Sequence, residues 1–302
     1  MTIAVSDEVR DALAGGAGVV ALETSVIAQG PPPPTNRQVA SDLDRVVREA
    51  GAVPAWVATD GGRLRVGLDA SVLERLAEPG AAVKVARRDV PLALASGALG
   101  GTTVSATIWA AAAVGIAVSA TGGIGGVHPG SEDVSADVIE LSRTPGLLVC
   151  SGPKSIVDPG ATVERLEELG VAIVGYGVRR LPFFLAREAP VELEHVVDDP
   201  VDAAAAAAAA RDLGSSSTIL LCNPIPPDAA LDQESVADAV RRALTRADGH
   251  QVRGKDLTPF LLSALAEETG GRSLRANTAL LEANASLAGR IAAALSGLGR
   301  RD

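Results

Sequence analysis

Aromatic side chains are almost missing from this chain. Phe, Tyr and Trp together make up 2% of its 302 residues. A surface that stacks bases along a nucleic acid needs more of them. The core must therefore be Val, Leu, Ile and Ala. Basic clusters are missing too. The net charge is −10, and no Lys/Arg run is dense enough to grip a phosphate backbone. No apolar stretch reaches the roughly 20 residues of a membrane span. The N-terminus, MTIAVSDEVRDALAGG, is acidic and has no signal-peptide core. These absences predict a cytoplasmic protein with neither nucleic acid nor membrane as partner. There are two cysteines, Cys150 and Cys222, each ending an apolar run. Their spacing is not that of a zinc site, so buried free thiols are expected.

Lysine is the scarcest of the common charged residues. Of 27 basic residues only Lys84, Lys154 and Lys255 are Lys, leaving 24 Arg. An Arg stays protonated, whereas a Lys can act as an amine nucleophile and form a Schiff base. Compositional drift is the alternative reading, and it serves better for Lys255 than for Lys84 or Lys154. Lys154 stands out because it follows the apolar run Gly146–Cys150 and the turn Ser151-Gly152-Pro153. An amine fixed and partly desolvated at a strand end is expected to have a lowered pKa.

Apolar strand-like runs alternate with amphipathic helical runs, which predicts a layered α/β fold. Val19–Leu22 reads as a buried strand ending at Glu23. Pro31–Pro34 reads as an extended loop and Asn36 as the cap of the next helix. Val39, Leu43, Val46 and Val47 share one face of that helix. Asp60-Gly61-Gly62 joins two strand-like halves in a hairpin. Val83–Val85 is a short strand. A loop at Gly97–Gly101 leads into an Ala-rich helix at about Thr103. Ile116–Ala120 is a strand that ends in a second glycine loop, Gly122–Gly126. Helices are expected over SADVIELSR, DPGATVERLEELG and the alanine run Ala203–Ala210. Strands are expected over Val171–Gly175 and Thr218–Cys222, and one or two helices over Ser273–Leu298. Without a repeat or a disordered linker, one domain spanning 1–302 is expected.

Polar residues gather at strand ends: Glu23, the Gly122–Gly126 loop, Lys154 and Asn223. In open α/β sheets the carboxyl ends of strands form the ligand crevice. Glycine loops with exposed amides suit a phosphate, although taken alone such a loop is more often a plain tight turn. GGIGG lacks the GxGxxG spacing, which argues against a nicotinamide enzyme. Asp133 and Asp137 are four apart, so on a helix they would share a face. Such a pair suits acid–base work or a divalent metal, or else one caps a helix and the other is solvated.

Nine blocks, in order along nearly the whole chain, resemble the pseudouridine-5'-phosphate glycosidases, also called the indigoidine-synthase-A-like family. They are ALETSVIAQGPPPPTN, VKVARRDVP, GTTVSAT, ATGGIGGVH, DVSADVIELSRTP, CSGPKSIVD, NPIP, GKDLTPFLL and SLRAN. The resemblance implies a three-layer α/β/α fold with a mostly parallel central sheet and helices on both faces. It implies a homotrimer and a carbon–carbon glycosidic bond between uracil and ribose 5-phosphate. Lys154 matches the family's Schiff-base lysine, Glu23 its acid–base glutamate and Asp137 a second catalytic carboxylate. Asp133 matches the ligand of a divalent metal, typically manganese, held mostly through waters. Lys84 matches a phosphate-binding lysine. Thr103 and Val104 fall at the turn that offers a backbone group. Ser135 and Ala136 fall where the phosphosugar is also met, and Asn277 matches an active-site asparagine. His128 reads as a contact to phosphate or base, or as a satisfied loop histidine. Arg87, Arg88 and Lys255 recur in family blocks, either as phosphate contacts or as structural ion pairs. The chemistry agrees with the resemblance. A C-glycoside has no leaving oxygen to protonate, so an imine at the sugar C1 supplies the needed electron sink.

The departures from the family pattern cluster in loops. Glu23-Thr24-Ser25 replaces Glu-Ser-Thr. Gln29 stands where a histidine is usual. Pro32–Asn36 departs from a Pro-Tyr/Phe-Pro-x-Asn run, and Pro129 replaces an arginine. The loop from Gly130 to Asp133 reads about three residues short, an expectation from the family's loop pattern. The sugar-side pieces are intact, so the expectation is a changed acceptor. The Arg- and Ala-rich composition fits the branch of the family that joins ribose 5-phosphate to an aromatic polyketide carbon. The expected activity is that of a C-glycosynthase, and the alternative is the glycosidase itself. A non-catalytic phosphosugar binder would need no nucleophilic amine, and a PfkB-like kinase would need a nucleotide loop that is absent.

Overall fold

The computed structural model describes residues 3–129, 133–252 and 257–298, the side chains of 258 and 259 excepted. The chain begins with β1 (Ile3–Val5), α1 (Asp7–Ala14), β2 (Val19–Glu23), α2 (Ser25–Ala28), α3 (Thr35–Glu49), β3 (Val53–Asp60) and β4 (Arg63–Val66). It continues through α4 (Ala70–Leu76), β5 (Val83–Val85), a 3-10 turn at Arg87–Asp89, α5 (Val90–Ser96), β6 (Gly100–Thr102), α6 (Val104–Ala113) and β7 (Val118–Ala120). Next come α7 (Ala136–Leu141), β8 (Gly146–Cys150), α8 (Pro159–Glu168), β9 (Ile173–Tyr176), β10 (His195–Val197) and α9 (Pro200–Asp212). The last elements are β11 (Thr218–Cys222), α10 (Gln233–Gly249), α11 (Leu257–Glu268) and α12 (Arg272–Leu298).

One sheet runs in the order β1-β4-β3-β2-β7-β8-β11-β9-β10, with β6 joining β5 to β3. Pairing is parallel except at β3–β4 and β3–β6. The antiparallel β3–β4 pair is the expected hairpin. Asp60 faces Arg63 across Gly61 and Gly62, whose φ values of 56° and 78° need glycine.

Alternation along each strand builds two cores. Val20 and Leu22 of β2 face a core shared with α3, α9, α10, α11 and α12. Val19 and Ala21 face the opposite side, with α1, α5 and α6. Leu148 and Cys150 of β8 face that same side, against α6, α7 and α8. The result is the expected three-layer α/β/α arrangement with a mostly parallel sheet. With so few aromatics, aliphatic packing supplies most of the burial, each fully buried Val or Leu contributing about 1.5–3 kcal/mol before entropy. Cys150 and Cys222 sit in register on neighbouring strands as buried free thiols. The Cys222 thiol is pushed well up by its neighbour Cys150 and by burial.

Three local expectations change. Gly100–Thr102 is a strand and not part of a loop, paired to both β5 and β3. Pro34, with φ −86° and ψ −2°, is already helical and caps α3. The proline tract therefore ends in a turn. Asn36 lies inside that helix, and its buried amide donates to the carbonyls of Ile27 and Ala77 at 3.3 and 2.8 Å. It ties α2 and α4 to α3 instead of capping.

Candidate active site

A cavity of about 200 Å³ opens at the carboxyl ends of the central parallel strands. It takes Glu23 from β2, Thr121 from the end of β7 and Lys154 from the loop after β8. Helices α6 and α7 aim their first turns into it.

Lys154 owes its place to a zipper of backbone bonds between two loops. The Ser151 amide donates to Gly122 O at 2.8 Å, and Ile124 N to Gly152 O at 3.1 Å. The Lys154 amide then donates to Ile124 O at 2.9 Å. Gly152 has φ 76°, and a Cβ there would stand 1.9 Å from the Pro182 carbonyl oxygen. A Cβ on Gly125 would stand 2.3 Å from Ser135 Oγ. Both loops need glycine for close approach.

Glu23 is 3% exposed. Ser25 Oγ donates to one carboxylate oxygen at 2.6 Å, and the Thr121 hydroxyl donates to the other. Burial pushes the Glu23 carboxyl above the usual carboxylate range. The Lys154 charge and the two hydroxyls oppose that rise, and the Asp137 charge adds to it. A carboxyl raised in this way beside an amine is suited to carry a proton. Asp137, also buried, accepts from the amides of Ser105 at 3.1 Å and Gly125 at 3.0 Å. It thereby fastens the start of α6 to the glycine loop.

Part of the cavity wall is cationic. Lys84 on β5 and Arg88 line it together with Thr103 and Val104 at the start of α6. Thr103 is the N-cap of this helix. A helix N-terminus beside two cations suits a phosphate. Ser135 caps α7, its Oγ accepting from the Asp137 amide at 3.2 Å. Ala136 lies beside it on the wall. Burial lowers the His128 pKa; Asp133 pulls it back up, and the charges of Lys154 and Lys84 depress it further. His128 is thus neutral near pH 7 and senses both lysines.

Asp133 lies on the rim with an exposed side chain. It is not on a helix with Asp137, because α7 starts only at Ala136. The expected i, i+4 carboxylate pair therefore does not form, although both residues line the cavity. Among the described residues no group of three or more His, Cys, Asp or Glu could hold a metal. A single rim carboxylate suits only a hard cation that keeps most of its waters.

The family model of indigoidine synthase A like proteins matches residues 8–294. The chain belongs to that family. It is 47% identical to the pseudouridine-5'-phosphate glycosidase of Herpetosiphon aurantiacus, over 96% of this chain and 97% of the relative. It is 48% identical to that of Gemmatimonas aurantiaca, over 95% and 94%. Among solved structures, the prealnumycin C-glycosynthase AlnA in complex with ribulose 5-phosphate matches with a TM-score of 0.91 at 39% identity, over 100% of this chain and 99% of AlnA. An indigoidine synthase A-like protein of Thermotoga maritima matches with a TM-score of 0.90 at 34% identity, over 98% and 97%.

All the site residues expected from the family resemblance line this one cavity: Lys154, Glu23, Asp137, Lys84, Val104, Thr103, His128, Ser135, Ala136, Asn277 and Asp133. Asn223 does not line it. Its amide donates to Asn284 Oδ1 at 3.0 Å, behind the strand ends. Arg87 is a structural residue: it pairs with the buried Glu140 and lies 5.2 Å from the Trp109 ring centroid. Arg88 is the one of the pair on the cavity wall. Lys255 and most of the Gly130–Asp133 loop lie outside the described residues. Sequence reasoning missed Thr121, Ser25, Phe184, Leu281 and Asn284. Phe184 carries φ 54°, a strained value for a bulky residue, and closes one wall beside Leu281. Its strain was not legible in the run Pro182-Phe183-Phe184-Leu185.

Proposed function

We propose that this chain is a pseudouridine-5'-phosphate glycosidase, cleaving the C–C bond between uracil C5 and the ribose 5-phosphate C1. The observation that carries this reading is the shared cavity of Lys154, Glu23 and Asp137, lined also by Lys84 and the start of α6. The cations and the helix N-terminus take the sugar phosphate. That grip holds C1 against Lys154. The Lys154 amine bonds to C1 as the C1–O ring bond breaks, and the ring oxygen takes up the proton that the amine gives up. A proton from Glu23 reaches uracil C5. The amine lone pair then forms the C=N bond while the C1–C5 electrons leave with uracil. Water adds to the imine, releasing ribose 5-phosphate and the free amine. Asp137, anchored by two amides, holds the glycine loop and the start of α6 about the sugar. Asp133 would hold a divalent cation such as Mn²⁺ through waters, and the bound cation would offset the phosphate charge. A homotrimer belongs to the same reading, tested by light scattering for three times the 30.4 kDa chain mass.

One finding favours uracil over a polyketide carbon as the partner of C1. Identity to the glycosidases is 45–48% for the relatives from Herpetosiphon, Gemmatimonas and Saccharopolyspora, against 39% for AlnA. The C-glycosynthase reading keeps the fold match to AlnA in its favour.

The test is uracil release from pseudouridine 5'-phosphate with added Mn²⁺, followed by ultraviolet absorbance. Release by the native chain, abolished in Lys154→Arg, is the expected result. Absence of release, with C–C coupling of ribose 5-phosphate to a phenolic acceptor, would establish the C-glycosynthase reading instead.

A further inference from the structure

Helix α12 is apolar where it crosses the sheet, with Leu280, Leu281, Ala285, Leu287 and Ala288 all buried. One residue breaks this run. Asn284 is 0% exposed, and a buried amide costs free energy unless every polar atom is partnered. Here every one is. The two N–H groups of its Nδ2 are shared among the Thr121 carbonyl at 2.9 Å, the Gly122 carbonyl at 3.3 Å and Ser151 Oγ at 3.1 Å. Its Oδ1 accepts from Asn223 Nδ2 at 3.0 Å. Backbone carbonyls only accept, so the orientation of the amide is fixed by its partners.

Those partners are the ends of β7, β8 and β11. Two of them carry the working groups. Thr121, gripped through its carbonyl, gives its hydroxyl to Glu23. Ser151, gripped through its hydroxyl, opens the loop that carries Lys154, and its own amide holds Gly122. One buried amide thus fixes the root of the acid–base side and the root of the nucleophile side together. We infer that Asn284 is a positioning residue that sets the separation of the Glu23 carboxyl from the Lys154 amine. It touches no substrate, since it lies behind the cavity wall. Asn277, two helical turns earlier on the same face, lines the cavity itself. This inference rests on the glycosidase reading.

The experiment compares the native chain with Asn284→Ala, Asn284→Asp and Asn223→Ala. Each is assayed for uracil release from pseudouridine 5'-phosphate and for borohydride trapping of ribose 5-phosphate on Lys154, read by peptide mass. Misplacement of a reacting group by about 1 Å costs about 100-fold in rate. Asn284→Ala is expected to lose about that in kcat, with KM little changed because the phosphate end is built from other elements. Trapping slows in parallel, and the pH–rate profile shifts as Thr121 loosens from Glu23. Asn284→Asp, which keeps the Asn223 contact but loses the donors to the two carbonyls, falls with the alanine variant. Asn223→Ala removes only the donor to Asn284 Oδ1, leaves the grip on the two carbonyls and loses less. If the Asn284 variants do not fold, Asn223→Ala carries the test alone, and an unchanged kcat and profile overturns the inference. A folded Asn284→Ala with native kcat overturns it as well. No release and no trapping by the native chain would mean that the glycosidase reading itself had failed, whatever the variants do.

Discussion

The Lys154 amide donates to the Ile124 carbonyl at 2.9 Å. This bond ends a ladder that joins the loop after β8 to the glycine loop after β7. The lysine is therefore held on rigid backbone at the carboxyl edge of a parallel sheet, the usual ligand crevice of such folds. Its side chain reaches the cavity that Glu23 closes from β2.

The first prediction concerns this lysine. Lys154→Arg keeps a cation but removes the nucleophilic amine. Uracil release is expected to fall more than about 10³-fold, the scale seen when a nucleophile is removed. Borohydride with ribose 5-phosphate should leave no adduct on the peptide carrying position 154. A native-sized adduct elsewhere in the chain would move the nucleophile away from Lys154.

The phosphate end gives a second prediction. Lys84→Ala removes a charge-assisted contact of about 1.5–3 kcal/mol. KM for pseudouridine 5'-phosphate should rise about 10- to 100-fold, with a smaller change in kcat. The effect should shrink with rising salt, because the lost contact is ionic. A dephosphorylated substrate should not distinguish the variant from the native chain. A variant equally impaired on both substrates would place Lys84 outside phosphate recognition.

How much of this was legible depended on whether the signal was local. β2 ending at Glu23 and β8 running into Lys154 were readable because an apolar run gives way abruptly to polar and turn residues. The hairpin at Asp60–Arg63 was readable from its two glycines. The strand Gly100–Thr102 was not, since glycines carry no pattern and its status comes from pairing with β5 and β3. Asn36 passed for a cap because its true partners, Ile27 and Ala77, are distant in the chain or hidden by the prolines. The spacing of Asp133 and Asp137 suggested a helix that begins three residues too late to hold both. Asn284 gave no signal. One amide in an alanine- and leucine-rich helix is unremarkable until its partners, up to 163 residues away, are seen.

Arg87 and Arg88 are adjacent but should behave differently. Glu140 is buried against Arg87 and Thr144, so Arg87→Met leaves a carboxylate without its countercharge. Loss of one partner of a buried pair costs about 3–5 kcal/mol, and the half-exposed guanidinium here brings the expectation toward about 3 kcal/mol. Denaturant unfolding should show it. Arg88 is exposed at the cavity, and among the described residues its ion-pair contact is a long 3.9 Å approach to Asp89. Arg88→Ala should raise KM and leave the unfolding midpoint in place. The opposite pattern, in which Arg88 governs stability and Arg87 governs KM, would reverse these assignments.

Glu23 links activity to stability. Burial raises its carboxyl pKa in the folded chain, while the unfolded chain keeps an ordinary value near 4.5. Below that value both states are protonated, and the stability linked to this group is fully present. As pH rises from there through the folded pKa, the unfolded chain releases its proton more readily, and that stability is lost. Above the folded pKa, the native chain carries the cost of a buried carboxylate that the Lys154 charge and the hydroxyls of Ser25 and Thr121 only partly offset. Glu23→Gln removes this cost and keeps the shape of the side chain. Its Tm should exceed that of the native chain at pH 8 by about 2 °C or more, as follows from about 1 kcal/mol in a large chain. The gap should close as pH falls below about 4.5, where glutamine and protonated glutamate are equivalent. The same substitution should cut uracil release about 10²- to 10⁴-fold, the range for loss of a general acid–base group. A Tm gap that stays constant across this pH range would show that the variant's stability does not come from the carboxyl charge, and the acid–base role of Glu23 would lose its physical basis.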